Sequence, residues 1–234
     1  MQRPFRLLLA VSVSAASLSC VAFGLRAAEY APRIDPASFA EAVDNPYFPL
    51  VPGTITRFVE RAGGETTQRE VTVTSERRIV MGVHCVVVHD VATEQGSVVE
   101  DTFDWFAQDA QGNVWYFGEA TREFGSDGAV SSEGSWEAGV GGAQPGIVMP
   151  AKPEPGDPFR QEYLLGVAED MAQVTALDRS ATVPAGTFDG CVETRDWSLL
   201  EAGSEKKWFA KGVGFVRAES LSGEVEELVS VARH

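Results

Sequence analysis

The stretch Asp101–Glu119, DTFDWFAQDAQGNVWYFGE, decides the fold of this chain. Successive side chains of a β-strand point to opposite faces, so Trp105 lies on one face and Phe106 on the other. Gly112 and Asn113 both accept a positive φ and predict a turn, after which the chain returns as a second strand. The stretch therefore predicts a β-hairpin with aromatic side chains on both faces.

A weaker copy of this stretch follows about a hundred residues later, at Ser204–Glu219. Trp208-Phe-Ala takes the place of Trp105-Phe-Ala, and Gly214-Phe-Val takes the place of Trp115-Tyr-Phe. A glycine and then a cysteine precede each copy. Repetition of an ordered set of residues predicts two related β-meanders, and chance similarity between two hairpins is the alternative.

Residues 1–28 have the layout of a secretory signal peptide. Two arginines precede an apolar run over residues 7–23, which is short for a stable membrane span, and small residues follow at Ala27 and Ala28. We expect cleavage near Ala27 or Ala28, no transmembrane span, and a periplasmic or extracellular protein. The sequence around Cys20 weakly resembles a lipobox, so a lipid anchor on Cys20 is the alternative.

The chain is strongly acidic, with 34 acidic and 19 basic residues and a net charge of -15. Removal of residues 1–28 takes away three arginines, so 34 acidic residues face 16 basic ones and the net charge is near -18. This excludes a nucleic-acid binder, which needs a basic track, and disfavours anionic membrane surfaces. A neutral or cationic small molecule, a metal ion or a protein partner remains. A solubilising acidic surface is the simplest alternative.

We expect residues 29–234 to form a single β domain, since that length suffices for one core. The first meander would span residues 54–118 and the second residues 159–234. The segment between them, residues 119–158, is rich in Gly and Pro. This composition predicts a loop without a central strand or a long helix.

Two further local patterns complete the predicted layout. Trp136 and Met149 are too apolar for a solvated tail, so they predict that the Gly/Pro-rich loop is an ordered cover on the sheet. Asp35 followed by Pro36 is typical of a helix start and predicts a short, capped N-terminal helix.

Cys85 and Cys191 remain once residues 1–28 are removed. In an oxidising compartment a disulfide between them is natural. Both also lie in strand-like segments, where a free cysteine serves as a small buried apolar residue. The sequence leaves both alternatives open.

Common catalytic signatures are missing from the sequence, including the Gly-x-Ser-x-Gly elbow, His-Glu-x-x-His and a phosphate-binding loop. His84 and His89 lie on opposite faces of one strand and cannot jointly bind a metal from it. Cys85 and His89 share a face, which permits a soft-metal or redox pair. We expect no catalytic residue, no cofactor and no metal.

Acidic residues cluster around the predicted loops. Paired carboxylates about 5 to 10 Å apart can hydrolyse glycosides, and clusters of oxygen atoms can bind Ca²⁺. No EF-hand spacing occurs, so a solvated acidic rim is the simplest interpretation. The residues concerned are Glu100, Asp101, Asp104, Glu119, Glu133, Glu137, Glu162, Glu169 and Asp170.

Three motifs carry a resemblance to known proteins: YFPLVPGT at residues 47–54, PAGTFDGC at residues 184–191 and WFAKGVGF at residues 208–215. They resemble uncharacterised bacterial exported β-meander proteins, which are similar in turn to the half-barrel folds of periplasmic lipoprotein carriers. The resemblance implies a curved antiparallel sheet with a concave apolar face and supplies no catalytic residue. Residues 119–158 depart from the simplest such pattern.

We therefore predict an all-β fold: an antiparallel curved sheet or partly open β-barrel of two related β-meanders, with a short N-terminal helix. The favoured function is an exported, non-catalytic module that binds an apolar or amphipathic ligand, or a partner peptide, in a groove of the sheet. A carboxylate-based hydrolase acting on cell-envelope polymers is the alternative. The candidate ligand-binding residues are Trp105, Trp115, Trp136, Met149 and Tyr163.

Overall fold

Antiparallel strands make up nearly all of the regular structure. A computed structural model describes residues 30–233. Its strands are β1 (Phe39–Ala40), β2 (Thr54–Ala62), β3 (Glu65–Val80), β4 (Val83–Glu94), β5 (Ser97–Asp109), β6 (Val114–Phe124), β7 (Val130–Ser131), β8 (Trp136–Glu137), β9 (Gln144–Met149), β10 (Phe159–Arg160), β11 (Glu162–Tyr163), β12 (Asp170–Val183), β13 (Gly186–Ser198), β14 (Glu205–Ala210), β15 (Gly214–Ser220) and β16 (Val225–Arg233). The main sheet has the order β10-β12-β13-β14-β15-β16-β2-β3-β4-β5-β6-β9-β11.

A short run of chain brings the two ends of this sheet together. β10 pairs with β12 at one end of the order, and β11 pairs with β9 at the other. Only Gln161 separates β10 from β11, and its amide donates to the carbonyl of Asp170 at 2.9 Å. The fold is therefore all-β, as predicted, and the antiparallel sheet is nearly closed into a barrel with one seam, at Gln161.

β5 and β6 form the predicted hairpin, and Asp109 organises its turn. One carboxylate oxygen of Asp109 accepts from the amides of Gln111 and Asn113. The other accepts from the side chains of Asn113 and Trp115, each at 2.8 Å. Gly112 has a φ of 97°, which glycine adopts without strain.

The two cysteines occupy matching positions in the two halves of the barrel. Cys85 of β4 pairs with Arg78 of β3. Cys191 of β13 pairs with Arg179 of β12. In both hairpins the cysteine lies on the second strand and an arginine faces it from the first, so the two halves share connectivity and register at this point.

The two tryptophan strands match in the same way. Trp105 of β5 pairs with a residue two positions after Cys85, and Trp208 of β14 pairs with a residue two positions after Cys191. A register shift follows each tryptophan, between β5 and β6 and between β14 and β15. The repeated order seen in the sequence thus extends to the pairing of individual residues.

The predicted N-terminal helix is a single 3₁₀ turn, Pro36–Ser38. Asp35 caps it as expected, because its carboxylate accepts from the amide of Ala37 at 3.2 Å. The chain then continues as β1, which pairs with β5. Pairing with the sheet satisfies backbone groups that a longer helix would otherwise have bonded.

The prediction that residues 119–158 hold no central strand is wrong. β9 lies between β6 and β11 although it contains Pro145. Its partner β11 has two residues, so the missing N–H of Pro145 removes few ladder bonds. Trp136 and Met149 are 4% and 0% exposed. Part of the segment therefore belongs to the barrel wall.

Cys85 and Cys191 are free thiols, and both are buried. They belong to different apolar clusters of the core. The disulfide is therefore not formed, and the cysteines pack as small apolar side chains, which was the alternative interpretation. Burial raises the pKa of Cys85 to about 12.

The predicted signal peptide, residues 1–28, and the candidate lipid anchor at Cys20 lie outside the described residues. None of the helical structure within residues 30–233 has the length and hydropathy that a membrane-spanning helix requires.

Candidate functional site

The barrel contains a cavity of about 120 Å³ that is partly open to solvent. Both halves of the barrel, the entry segment at residues 48–50 and the seam contribute to its lining. The volume is close to that of a cavity holding one benzene ring, roughly 150 Å³. The lining residues the site depends on are Phe48, Phe58, Arg69, Asp90, Asp104, Phe106, Tyr116, Val148, Gln161, Glu162, Asp170, Phe209 and Phe215.

The entry segment before β2 contributes apolar side chains to the cavity wall. The side-chain oxygen of Gln108 accepts from the amide of Asn45 at 2.8 Å and so fixes the turn before Phe48. The Phe48 ring then lies 5.3 Å from the ring of Phe106 and 6.5 Å from that of Phe209. Phe106 and Phe209 each follow the tryptophan of their strand, so both halves contribute one ring to this wall.

A continuous row of side chains leads from this wall to a carboxylate. The rings of Phe106 and Tyr116 stack at 4.8 Å. The Tyr116 hydroxyl donates to the carboxylate of Asp104 at 2.8 Å. Asp104 and Phe106 are two residues apart on β5 and therefore point to the same side. The apolar chamber and an acidic group are thus direct neighbours.

Arg69 of β3 neutralises one set of interior carboxylates. Its guanidinium nitrogens lie 3.0 Å from Asp90 and 2.8 Å from Glu226. It also lies 4.9 Å from the ring centre of Phe58 and 5.9 Å from that of Phe215. Burial lowers the pKa of Arg69, but the neighbouring carboxylates raise it further, so the guanidinium stays charged.

Lys207 of β14 neutralises a second set of interior carboxylates. Its ammonium nitrogen lies 3.0 Å from Asp196 and 2.9 Å from Glu205, and all three side chains are buried. Burial lowers the pKa of Lys207, and the two carboxylates raise it above its ordinary value. Burial raises the pKa of Glu205 to about 7 although Lys207 opposes the shift.

A third set, Asp104, Glu119 and Glu162, has no ion-pair partner among residues 30–233. These residues are 3%, 4% and 8% exposed. Asp104 and Glu119 pair directly across β5 and β6. One oxygen of Glu119 is buried without a hydrogen-bond partner. Two charges on directly paired, buried residues repel each other strongly.

Burial is the main cause of raised pKa values in this third set. It raises the pKa of Asp104, and the charge of Asp90 raises it further. Burial and Asp104 together raise the pKa of Glu119. The pKa of Glu162 rises through burial and the nearby Asp170. Asp170 itself, also on the cavity wall, has its pKa raised to about 6, mainly by burial. These carboxyls therefore hold protons at a higher pH than exposed carboxyls do.

The five residues predicted to bind ligand lie elsewhere in the barrel, and none of them lines this cavity. Trp105 is buried beneath the guanidinium of Arg78, 4.0 Å from its ring centre. Trp115 bonds to Asp109 in the hairpin turn. Trp136 and Met149 are buried in the core.

Tyr163, the fifth, stacks edge-on with Tyr30 at 5.8 Å, and the guanidinium of Arg160 lies 4.7 Å from its ring centre. These contacts give all five side chains structural partners. Their role in ligand binding stays a prediction.

The predicted acidic rim is only partly at the surface. Glu133 is exposed, as expected. Glu100, Asp104 and Glu119 are at most 8% exposed, because alternation along β5 and β6 turns them inward. Glu162, on β11, is also 8% exposed. Inward-facing acids could have been found in the sequence by following this alternation from Phe106.

Histidine and cysteine do not combine into a site on β4. His89 bonds through Nε2 to Asp101 at 2.8 Å and stacks on Phe103 at 4.2 Å. Cys85 is 0% exposed. Within residues 30–233, no group of three or more His, Cys, Asp or Glu side chains is arranged to hold a metal ion.

Sequence reasoning missed Phe48 and Arg69 as cavity-lining residues and Lys207 as a buried cation. Phe48 lies in a Pro-rich entry segment that carries no strand pattern. Arg69 and Lys207 occupy inward positions on strands, where a charged side chain is unusual. A charged residue at an inward position was the available signal, but it can be recognised only when the inward face of each strand is known.

Comparison with protein-family models and with curated proteins finds no match. Among solved structures, this chain is similar to one described as the "crystal structure of a putative lipoprotein from Parabacteroides distasonis ATCC 8503". The two chains are 15% identical, with a TM-score of 0.44, over 80% of this chain and 98% of the other.

Proposed function

We propose that this chain is an exported, non-catalytic binding protein that holds a small apolar or amphipathic ligand inside its barrel. The observation that carries the proposal is the cavity between Phe48, Phe106 and Phe209, which is partly open to solvent. A concave, mostly apolar site with a few polar groups is the usual form of a small-molecule site. Export is supported by the signal-like layout of residues 1–28.

Binding is favoured over hydrolysis by the surroundings of the paired carboxyls. Asp104 and Glu119 face each other, which is one requirement of a two-carboxylate hydrolase. A cell-envelope polymer, however, needs an open cleft that exposes both groups. These side chains are 3% and 4% exposed, and the cavity of about 120 Å³ is the size of one small ring.

Filling the cavity tests the binding role. Val148 lines the cavity, so Val148→Phe should place a ring in the space that a ligand would occupy. We expect this variant to stay folded and to bind benzyl alcohol, an uncharged probe, at least about tenfold more weakly by isothermal titration calorimetry. Val98→Phe is the matched control, because Val98 is 44% exposed on β5. Equal binding by wild type and Val148→Phe would refute the proposal.

Native mass spectrometry of the protein from its own host addresses the ligand and the export route together. A co-purified small molecule would identify the natural ligand. The mass of the mature chain distinguishes cleavage near Ala27 or Ala28 from lipidation at Cys20, since an acylated cysteine adds a defined mass. A chain that retains residues 1–28 would refute export through this signal.

A further inference from the structure

Among residues 30–233, two of the three carboxylate sets described above lie beside a basic side chain and the third does not. Arg69 lies between Asp90 and Glu226, and Lys207 between Asp196 and Glu205. The third set, Asp104, Glu119 and Glu162, pairs with no base among residues 30–233.

Two members of the third set reach the cavity. Asp104 and Glu162 both line it, whereas Glu119 pairs with Asp104 across β5 and β6 behind the cavity lining. Buried carboxylates without a cation beside them cost free energy. The partner that would complete this set from inside the cavity is therefore a hydrogen-bond donor with positive charge.

We propose that the cavity binds a small organic ammonium ion, with its nitrogen against Asp104 and Glu162 and its apolar body against Phe48 and Phe106. This inference rests on the proposed function, since it assigns the chemical class of the ligand in the same cavity. The cavity wall changes from apolar to acidic along a series of contacting side chains: Phe48, Phe106, Tyr116 and Asp104.

A neighbouring part of the barrel interior shows that this interior stabilises a cation in the same way. Arg69 lies against the rings of Phe58 and Phe215 and between two carboxylates. Aromatic rings attract cations through their negative faces, and more strongly where water is excluded. The ammonium ion would occupy the equivalent environment formed by Phe106, Tyr116 and Asp104.

Charge and size both fit this class of ligand. The chain carries a net charge of -15, which attracts cations at long range and repels anions. A cavity of about 120 Å³ accommodates one ring or a short branched alkyl group. Protons held by the carboxyls would leave when the ammonium ion arrives, because its charge favours their ionised form.

Three probes of matched shape and different charge test the inference. At pH 7 we would titrate the full chain with benzylammonium, benzyl alcohol and benzoate by calorimetry. We expect benzylammonium to bind about tenfold more tightly than benzyl alcohol, and benzoate to bind most weakly. Repeating the benzylammonium titration in buffers of different ionisation enthalpy should show proton release.

Two variants connect the preference to the carboxyls. In Asp104→Asn/Glu162→Gln the preference for benzylammonium over benzyl alcohol should vanish, because no carboxyl remains at either position. Asp101→Asn is the matched control, because Asp101 lies on β5 with its side chain bonded to His89 outside the cavity. Circular dichroism verifies that each variant is folded.

The outcomes separate the inference from the proposed function. Equal affinity for benzylammonium and benzyl alcohol, or a preference that survives in the double variant, overturns the ammonium assignment and leaves the binding function intact. If neither benzylammonium nor benzyl alcohol binds the wild-type protein, the cavity is not a ligand site and both proposals fail.

Discussion

Asp104 and Glu119 face each other across β5 and β6 with almost no exposure to solvent. Arg69, Asp90, Glu100 and Tyr116 lie close to Asp104, and so does Glu162. Of these groups only Arg69 favours the ionised form of Asp104 through its charge. The folded barrel is therefore most stable when at least one of these two carboxyls is protonated.

Stability should fall as the pH rises from 5 to 8. The pKa of Asp170 rises from 3.8 to about 6, and that of Glu205 from 4.5 to about 7. A carboxyl with a raised folded-state pKa stabilises the fold below its unfolded pKa, and this contribution is lost as the pH rises through the folded pKa. We expect a loss on the order of 1 to 3 kcal/mol in the free energy of unfolding, measured by urea denaturation.

The paired carboxyls should account for part of this dependence. Asp104→Asn/Glu119→Gln removes two ionisable groups and should flatten the pH profile and stabilise the protein at pH 8. Glu133→Gln, at an exposed position, should leave the slope unchanged. A wild-type protein that gains stability between pH 5 and 8 would contradict the prediction.

Removal of the buried cation at position 207 should be strongly destabilising. Lys207→Met leaves Asp196 and Glu205 buried without their partner, which costs about 3 to 5 kcal/mol in comparable cases. Adding Asp196→Asn and Glu205→Gln should recover most of this loss, because no unpaired charge remains. Chemical denaturation measures each step. Lys206→Met is the control, because Lys206 is exposed. If Lys206→Met lowered the free energy of unfolding as much as Lys207→Met, burial of the charge would not be the cause.

The two buried cysteines should be unreactive in the folded protein. In a Cys20→Ser background, we expect Ellman's reagent to modify neither Cys85 nor Cys191 quickly in native protein, and both after unfolding in urea. The raised pKa of each thiol disfavours the reactive thiolate, and burial excludes the reagent from both sulfur atoms. Two thiols in urea without reductant match the free cysteines, whereas none would indicate a disulfide.

The sequence allowed prediction of those parts of the fold that depend on local pattern. Alternation around Trp105 and Phe106 predicted the hairpin and its two faces, and the second copy around Trp208 predicted the second meander. These features recur within short distances along the chain. Strand β9 was missed because its residues include Pro145, and its place in the sheet depends on β6 and β11.

The cavity could be predicted only in kind. Aromatic strands favoured a groove of the sheet, and the neutral or cationic ligand that composition and charge favoured stays a prediction. The residues around the cavity, however, come from segments far apart in sequence, such as Phe48, Arg69 and Phe209. Which aromatic faces inward depends on strand register. This is why the predicted Trp105 lies outside the cavity lining while its neighbour Phe106 lines the cavity.

The last prediction concerns the seam, where β9 approaches the backbone that joins β10 to β11. A Cβ atom on Gly146 would lie 2.3 Å from the carbonyl carbon of Gln161 and 2.5 Å from the carbonyl oxygen of Arg160. Backbone atoms cannot move aside as a flexible side chain can. Gly146→Ala should therefore push the seam apart and cost about 1 to 3 kcal/mol, as overpacking does elsewhere.

Hydrogen exchange locates this effect. The amide of Gln161 donates to the carbonyl of Asp170 at 2.9 Å, so its protection should fall in Gly146→Ala more than that of amides in the β2–β3 hairpin. Gly156→Ala is the control, because the nearest atom to its new Cβ would be 3.7 Å away. Gln161 and Glu162 line the cavity, so an opened seam should also weaken binding of benzyl alcohol. Unchanged protection at Gln161 in Gly146→Ala would show that the barrel does not depend on close packing at this seam.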